Sequence, residues 1–214
     1  MFLHIKSIVR FLLQKISIFF LPKVKLNSKF SFEILGRNNG HYFVGYYDID
    51  PYRESEGDIL CHYVSPEYSQ ENEPSRAEIG LLSLTSGNFL PIVTTKAVNW
   101  QLGSRVQWVS EKSIIYNDVV ENDQCSIIFD VEMGKIVKKF ARPFWAISPN
   151  KEIAASLNFS RIKKRRPGYG FKGKSIDGDE EILTLFSLKT DEVLFQISLD
   201  KIINQIGYAV LPGT

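Results

Sequence analysis

Three stretches of this chain end an extended run in the same way, and they limit the fold more than any other feature: Gly45-Tyr46-Tyr47-Asp48-Ile49-Asp50-Pro51, Val106-Gln107-Trp108-Val109-Ser110 and Trp145-Ala146-Ile147-Ser148-Pro149-Asn150. Each is followed by a short apolar run of strand type, Ile59-Leu60-Cys61, Ile114-Ile115-Tyr116 and Ile153-Ala154-Ala155. A unit that recurs in this way cannot bury its apolar faces alone and has to stack on its neighbours. The pattern predicts an all-β chain, a partial β-propeller of about three four-stranded blades, preceded by an N-terminal amphipathic helix. The first blade is expected to use residues 43–48, 59–64, 78–84 and 89–94, the second 104–108, 113–117, 125–130 and 136–140, and the third 144–147, 153–158, 181–188 and 193–198. In each, a turn joins the last two strands as a hairpin: Thr85-Ser86-Gly87-Asn88, Glu132-Met133-Gly134-Lys135 and Lys189-Thr190-Asp191-Glu192. The unit length of about 45 to 60 residues is near the propeller range. A β-sandwich would also give short strands, but not this unit-by-unit recurrence.

The resulting organisation is residues 1–30 as a basic amphipathic helix and linker, 31–198 as three blades, and 199–214 as the start of a fourth. A propeller closes with four or more blades, so missing C-terminal blades or a second chain are expected partners. Within residues 1–22, apolar positions such as Leu3, Ile8, Leu12, Ile16 and Phe19 form a broad arc, while Lys6, Arg10 and Lys15 interrupt any run long enough to span a bilayer. No small-residue cleavage site marks a secretory signal. The expectation is a helix lying on a membrane surface, with packing against the domain as the alternative and an uncleaved signal behind both. The location expected is cytoplasmic, peripheral to the inner membrane.

Net charge is only +2, which argues against nucleic acid as a partner held by bulk charge. The two cysteines, Cys61 and Cys125, sit in apolar runs and read as buried free thiols, with a disulfide as the alternative and no zinc or dithiol motif. His4, His41 and His62 form no spaced ligand set, and no metal or cofactor is expected. No Gly-x-Ser-x-Gly occurs, and no nucleophile–base pair stands out. Glu180 and Glu181 adjoin Asp177 and Asp179 in a loop, a weak basis for glycosidase chemistry.

Several segments resemble a group of uncharacterised bacterial propeller proteins related to the oligogalacturonate-lyase-like, seven-bladed propellers. They are Gly45-Tyr46-Tyr47-Asp48, Gln107-Trp108, Ile115-Tyr116-Asn117-Asp118, Arg142-Pro143, Ile147-Ser148-Pro149-Asn150, Asn158-Phe159-Ser160-Arg161 and Arg166-Pro167-Gly168-Tyr169-Gly170. The resemblance runs from about residue 41 to 170 and implies that this chain matches the N-terminal half of such a propeller. It implies carbohydrate chemistry weakly. The lyases hold their metal ligands in later blades, so none of those residues carries over.

Loops at one mouth of a propeller gather polar groups from several blades. The candidates are His41, Tyr46, Tyr47 and Asp48 from the first, Gln101, Arg105, Gln107, Asn117 and Asp118 from the second, and Arg161, Arg165, Arg166 and Tyr169 from the third. The ligand-binding set is taken as Tyr46, Tyr47, Asp48, Gln107, Asn117, Asp118, Arg161, Arg166 and Tyr169. Arginine forks pair with carboxylates and tyrosines stack on sugar faces, so the mix suits an acidic saccharide. The competing reading makes Asp48, Asn117 and Asp118 turn caps, and Trp100, Trp108 and Trp145 core. The run Arg161-Ile162-Lys163-Lys164-Arg165-Arg166 opens a glycine-bearing insertion over 161–179, read either as a binding loop or as a solvated one. Three functions remain open from the sequence: a non-catalytic propeller binding an anionic saccharide or partner, the N-terminal half of a metal-dependent polysaccharide lyase, and a protein-interaction scaffold.

Overall fold

The structure is a computed structural model and describes residues 35–36, 40–53, 56–68, 73–166, 168–176 and 181–206. By its contacts the chain divides into residues 1–34 and 35–214, and the described residues all lie within the latter stretch. The expected N-terminal helix lies outside the described residues, as does the segment 207–214.

Among the described residues thirteen strands form three sheets, each an antiparallel meander in chain order. The first holds β1 (His41–Phe43), β2 (Tyr52–Arg53), β3 (Glu56–Val64), β4 (Ala77–Ser83) and β5 (Phe89–Thr95). The second holds β6 (Gln107–Ser110), β7 (Ser113–Val120), β8 (Asp123–Asp130) and β9 (Lys135–Phe140). The third holds β10 (Ala146–Ile147), β11 (Ile153–Leu157), β12 (Glu181–Ser187) and β13 (Val193–Ser198).

Alternation along the strands explains why the sheets stack. In β7, Ile114 and Tyr116 join Leu60 and Ile79 of the first sheet in one buried cluster. Ile115, between them, points to the other face and joins Ala154, Phe186 and Leu188 of the third sheet. Successive side chains of a strand leave on opposite faces, so an unbroken apolar run reads as a strand buried on both sides. The middle sheet is therefore packed between the other two. Three meanders packed in sequence order are the arrangement of consecutive propeller blades.

The hairpin turns confirm the repeat at the level of backbone conformation. Gly87, Gly134 and Asp191 all adopt positive φ (67, 63 and 67°) at the same place in their turns. In each, the residue four positions earlier caps the turn through its side chain: Ser83 accepts from Ser86 N, Asp130 from Glu132 N and Met133 N, and Ser187 from Lys189 N and Thr190 N. Short polar side chains that bond the backbone ahead of them start such turns, and glycine ends them where φ is positive.

Three elements differ from the sequence reading. The first strand of the first blade, expected over 43–48, is split: β1 pairs with residues 62–64 of β3 and β2 with residues 56–59, and the loop 44–51 stands between them. Gly45 causes the break. Its φ is +102°, and a Cβ there would lie 2.9 Å from the carbonyl oxygen of Leu102. The insertion after β11 opens with a helix, α1 (Phe159–Arg165), because Asn158 caps it by accepting from Arg161 N at 2.9 Å. Where a fourth unit was expected to begin, α2 (Leu199–Ile206) is helical. Leu199, Ile202, Ile203 and Ile206 fall at helical spacing, and Asp200 favours the first turn.

Candidate ligand-binding surface

The loop 44–51 is held by one buried guanidinium. Arg105, 1% exposed, donates from Nη1 and Nη2 to the two carboxylate oxygens of Asp48 at 2.8 and 2.9 Å. Its Nε donates to the Trp145 carbonyl at 2.8 Å, and its Cζ lies 4.6 Å from the centre of the Trp145 ring. Arg105 thus ties the first unit's loop to the segment leading into the third sheet. A buried planar fork that holds a carboxylate at both tips and a carbonyl at its base acts as a fastening between segments.

With its base fixed in this way, the loop presents Tyr46 and Tyr47, whose rings lie 4.3 Å apart; Tyr47 is 88% exposed. From the third unit, the end of α1 brings up Arg166 and Tyr169. The Arg166 Cζ stands 5.1 Å from the Tyr169 ring, and Tyr169 meets Tyr46 edge-on at 6.4 Å. Beneath them Phe159 stacks on Phe171 at 4.4 Å, and both are buried with Ala97 and Leu102. Asn99 Nδ2 donates to the Gly170 carbonyl at 2.8 Å and anchors the insertion to the link between the first and second sheets. The Tyr46 phenol is raised from its ordinary pKa, first by its hydrogen bond with Tyr47. The hydrogen bond from Tyr169 and the charge of Arg166 act in the opposite direction.

Four of the nine sequence-derived site residues, Tyr46, Tyr47, Arg166 and Tyr169, therefore meet on one surface. Asp48 adjoins them but is committed to Arg105. Arg161 lies in the first turn of α1, half-buried. Gln107 lines a separate cleft of about 430 Å³ with Asp50, Tyr52 and Lys151. Asn117 is fully buried and clamps Phe144 in both directions: its Nδ2 donates to the carbonyl and its Oδ1 accepts from the N–H, each at 2.8 Å. Asp118 Oδ1 accepts from Thr95 Oγ1, Lys96 N and Val119 N, tying the first sheet's last strand to β7. Of the other candidates, His41 packs edge-on against Trp100 at 5.2 Å, and Gln101 sits in a turn capped by Asn99.

His62 is a core residue. It is fully buried, stacked on Phe43 at 5.0 Å, and Gly103 comes so close that a Cβ there would lie 2.4 Å from its ring. Nε2 accepts from Ser104 N at 2.9 Å, which leaves Nδ1 to donate to the Phe43 carbonyl at 3.3 Å. Burial pulls its pKa down to about 4. Cys61 and Cys125 are buried free thiols, pushed up to about 12 and about 11 mainly by burial. Among the described residues no three His, Cys, Asp or Glu side chains gather at metal-binding distances. No helix among them is long and apolar enough to cross a membrane.

The sequence reading singled out Lys163 within the basic run but did not group it with Lys96 and Lys172, which with it and Glu73 surround a cavity of about 170 Å³. Lys96 lies in the link after β5 and the other two in the insertion, with Glu73 from a third segment, so no local motif announces the group.

No family model matches the chain, and no curated protein matches it. Among solved structures, it is similar to the uncharacterized protein lmo1340 from Listeria monocytogenes EGD-e, with 11% identity, a TM-score of 0.41, and coverage of 78% of this chain and 42% of that one. It is also similar to the Dos1 propeller, with 11% identity, a TM-score of 0.34, and coverage of 76% and 48%. This chain thus matches less than half the length of either structure. Likenesses this loose carry no weight for function. The assignment of three consecutive blade-like sheets in an all-β chain rests on strand order, two-sided packing and the shared turn.

Proposed function

We propose that this chain is a non-catalytic binding module of propeller type that takes an acidic saccharide on the surface formed by Tyr46, Tyr47, Arg166 and Tyr169. The observation that carries the reading is the convergence of these four residues, two from the first unit and two from the third. An exposed tyrosine offers a flat face to a sugar ring, and a guanidinium beside it offers a fork to a carboxylate. The base beneath them is rigid: Arg105 locks the loop and the Phe159–Phe171 stack locks the insertion, which lowers the cost of ordering the site on binding. The test is titration of the full chain with an oligogalacturonide by calorimetry. Tyr47→Ala and Arg166→Ala should each weaken binding about tenfold, or about 1.4 kcal/mol. Unchanged affinity in both variants refutes the assignment.

A second reading, a scaffold for protein partners, is favoured by the outermost strands. β5, β9 and β13 each end their sheet and expose apolar side chains: Leu90, Ile136 and Val137, and Val193, Leu194 and Phe195. Exposed apolar edge strands are surfaces to which another chain can add. Attachment of residues 1–22 to a membrane surface belongs to the same proposal. A chain lacking them should lose flotation with anionic vesicles.

A further inference from the structure

A second site is built from segments distant in sequence. The connection before β4 supplies Glu73 and Ser75, the link after β5 supplies Lys96 and Val98, and the insertion supplies Lys163, Phe171 and Lys172. Together they line the cavity of about 170 Å³. Val98 and Phe171 are buried and form its apolar floor. The charged lining is unbalanced, with three ammonium groups against one carboxylate. Glu73 pairs with Lys163, and both side chains are partly exposed. The ammonium groups of Lys96 and Lys172 make no ion pair among the described residues. Asp118, close in sequence to the lining residue Val119, is not itself among the residues that line the cavity, and its Oδ1 accepts three hydrogen bonds, from Thr95 Oγ1, Lys96 N and Val119 N.

We propose that this cavity is an oxyanion-binding site that the chain fills with its own Glu73, and that a ligand carrying a carboxylate or phosphate group displaces it. Three cations around a concave wall with an apolar floor hold a positive potential that one carboxylate does not cancel. The Glu73–Lys163 pair spans 90 residues of sequence, from the first unit to the third. It is partly exposed and so weak enough to be exchanged for a better anion. Glu73 then acts as an internal competitor: it lowers the apparent affinity for an external anion by the fraction of time it holds the site. The cavity shares none of the four side chains of the tyrosine–arginine surface, only the buried Phe171 that underlies both, so this inference stands apart from the proposed function.

The experiment is calorimetric titration of the full chain at low ionic strength with inorganic phosphate and, separately, with glucuronate. Glu73→Gln should bind at least one probe about tenfold more tightly than the parent chain, since the competitor is gone. Lys163→Met in that background should abolish the gain. The double variant Lys96→Met/Lys172→Met leaves the Glu73–Lys163 pair in place, guards against misfolding of the other variants, and should also weaken binding. Tyr47→Ala should leave phosphate binding unchanged. A preference for phosphate identifies a phosphoryl group as the natural ligand's anion, and a preference for glucuronate identifies a uronate. Affinity no higher in Glu73→Gln than in the parent, or unaffected by loss of Lys96 and Lys172, overturns the proposal.

Discussion

Mild acid should weaken this fold through His62 in an amount that the structure sets. An ordinary histidine titrates near 6.5, whereas burial lowers His62 to about 4. The folded state therefore keeps the ring neutral over a range in which the unfolded chain protonates it. The stability this represents is fully present above pH 6.5 and is lost as pH falls toward 4, because the unfolded state takes up the proton first. A separation from 6.5 to about 4 is worth about 2 kcal/mol by pH 5 and about 3 kcal/mol by pH 4. Carboxylates titrate in the same window, so the measurement is a difference. Urea unfolding of the parent chain and of His62→Phe, followed by the fluorescence of Trp100, Trp108 and Trp145, would be run from pH 7.5 to pH 4. The variant keeps an aromatic ring on Phe43 but strands the Ser104 N–H and the Phe43 carbonyl. It should start about 1–3 kcal/mol less stable at pH 7.5. As pH falls, the gap should close by about 2 kcal/mol at pH 5. Two curves that stay parallel to pH 4 would show that His62 is not held neutral, and the hydrogen-bond assignment around it would fail.

Further expectations concern stability and reactivity. Asp48→Asn leaves the buried Arg105 guanidinium without its counter-charge and should cost about 2–3 kcal/mol, discounted because Asp48 is 40% exposed; a smaller loss than about 0.5 kcal/mol by the same unfolding assay contradicts the fastening role. Gly134→Ala should cost about 1 kcal/mol from backbone conformation alone, since nothing lies within 4 Å of the added Cβ, and Gly134→Asn should cost less. Cys61 and Cys125 should resist a maleimide reagent at pH 7.5 in the folded chain and react quickly in urea, read by mass spectrometry, because burial both hides the thiols and raises their pKa.

The parts of the fold legible in the sequence were those fixed by local pattern. Short apolar runs such as Ile114-Ile115-Tyr116 read as strands of units that stack on their neighbours, and the structure covers this one on both faces. The hairpin turns read from Gly87, Gly134 and the Asp191 equivalent, because a positive φ at a fixed offset leaves a compositional mark. Tertiary contact hid the rest. Gly45 looked like part of a strand, and only the nearby Leu102 carbonyl shows why the chain must turn there. Asn158 preceded a glycine-bearing basic run, and those glycines concealed the one turn and more of helix that Asn158 caps. At the candidate surface, Tyr46, Tyr47, Arg166 and Tyr169 were found from residue type. The commitment of Asn117 to Phe144, and of Asp118 to the neighbouring strand, depends on partners that no local window contains. The lysine cavity is the extreme case, since Lys96, Lys163 and Glu73 share nothing but their place in space.

The sandwiched position of the middle sheet gives the molecule an order of dismantling. In a stack, free energy is held at the junctions between neighbours, so a sheet with two junctions outlasts those at the ends. Opening β10–β13 uncovers Ala154 and Phe186 but leaves Leu60 and Ile79 seated on Ile127. Backbone amides of β7 and β8 should then trade their hydrogen for deuterium later than those of the two flanking sheets, and the candidate surface at the end of α1 joins both of those flanking sheets.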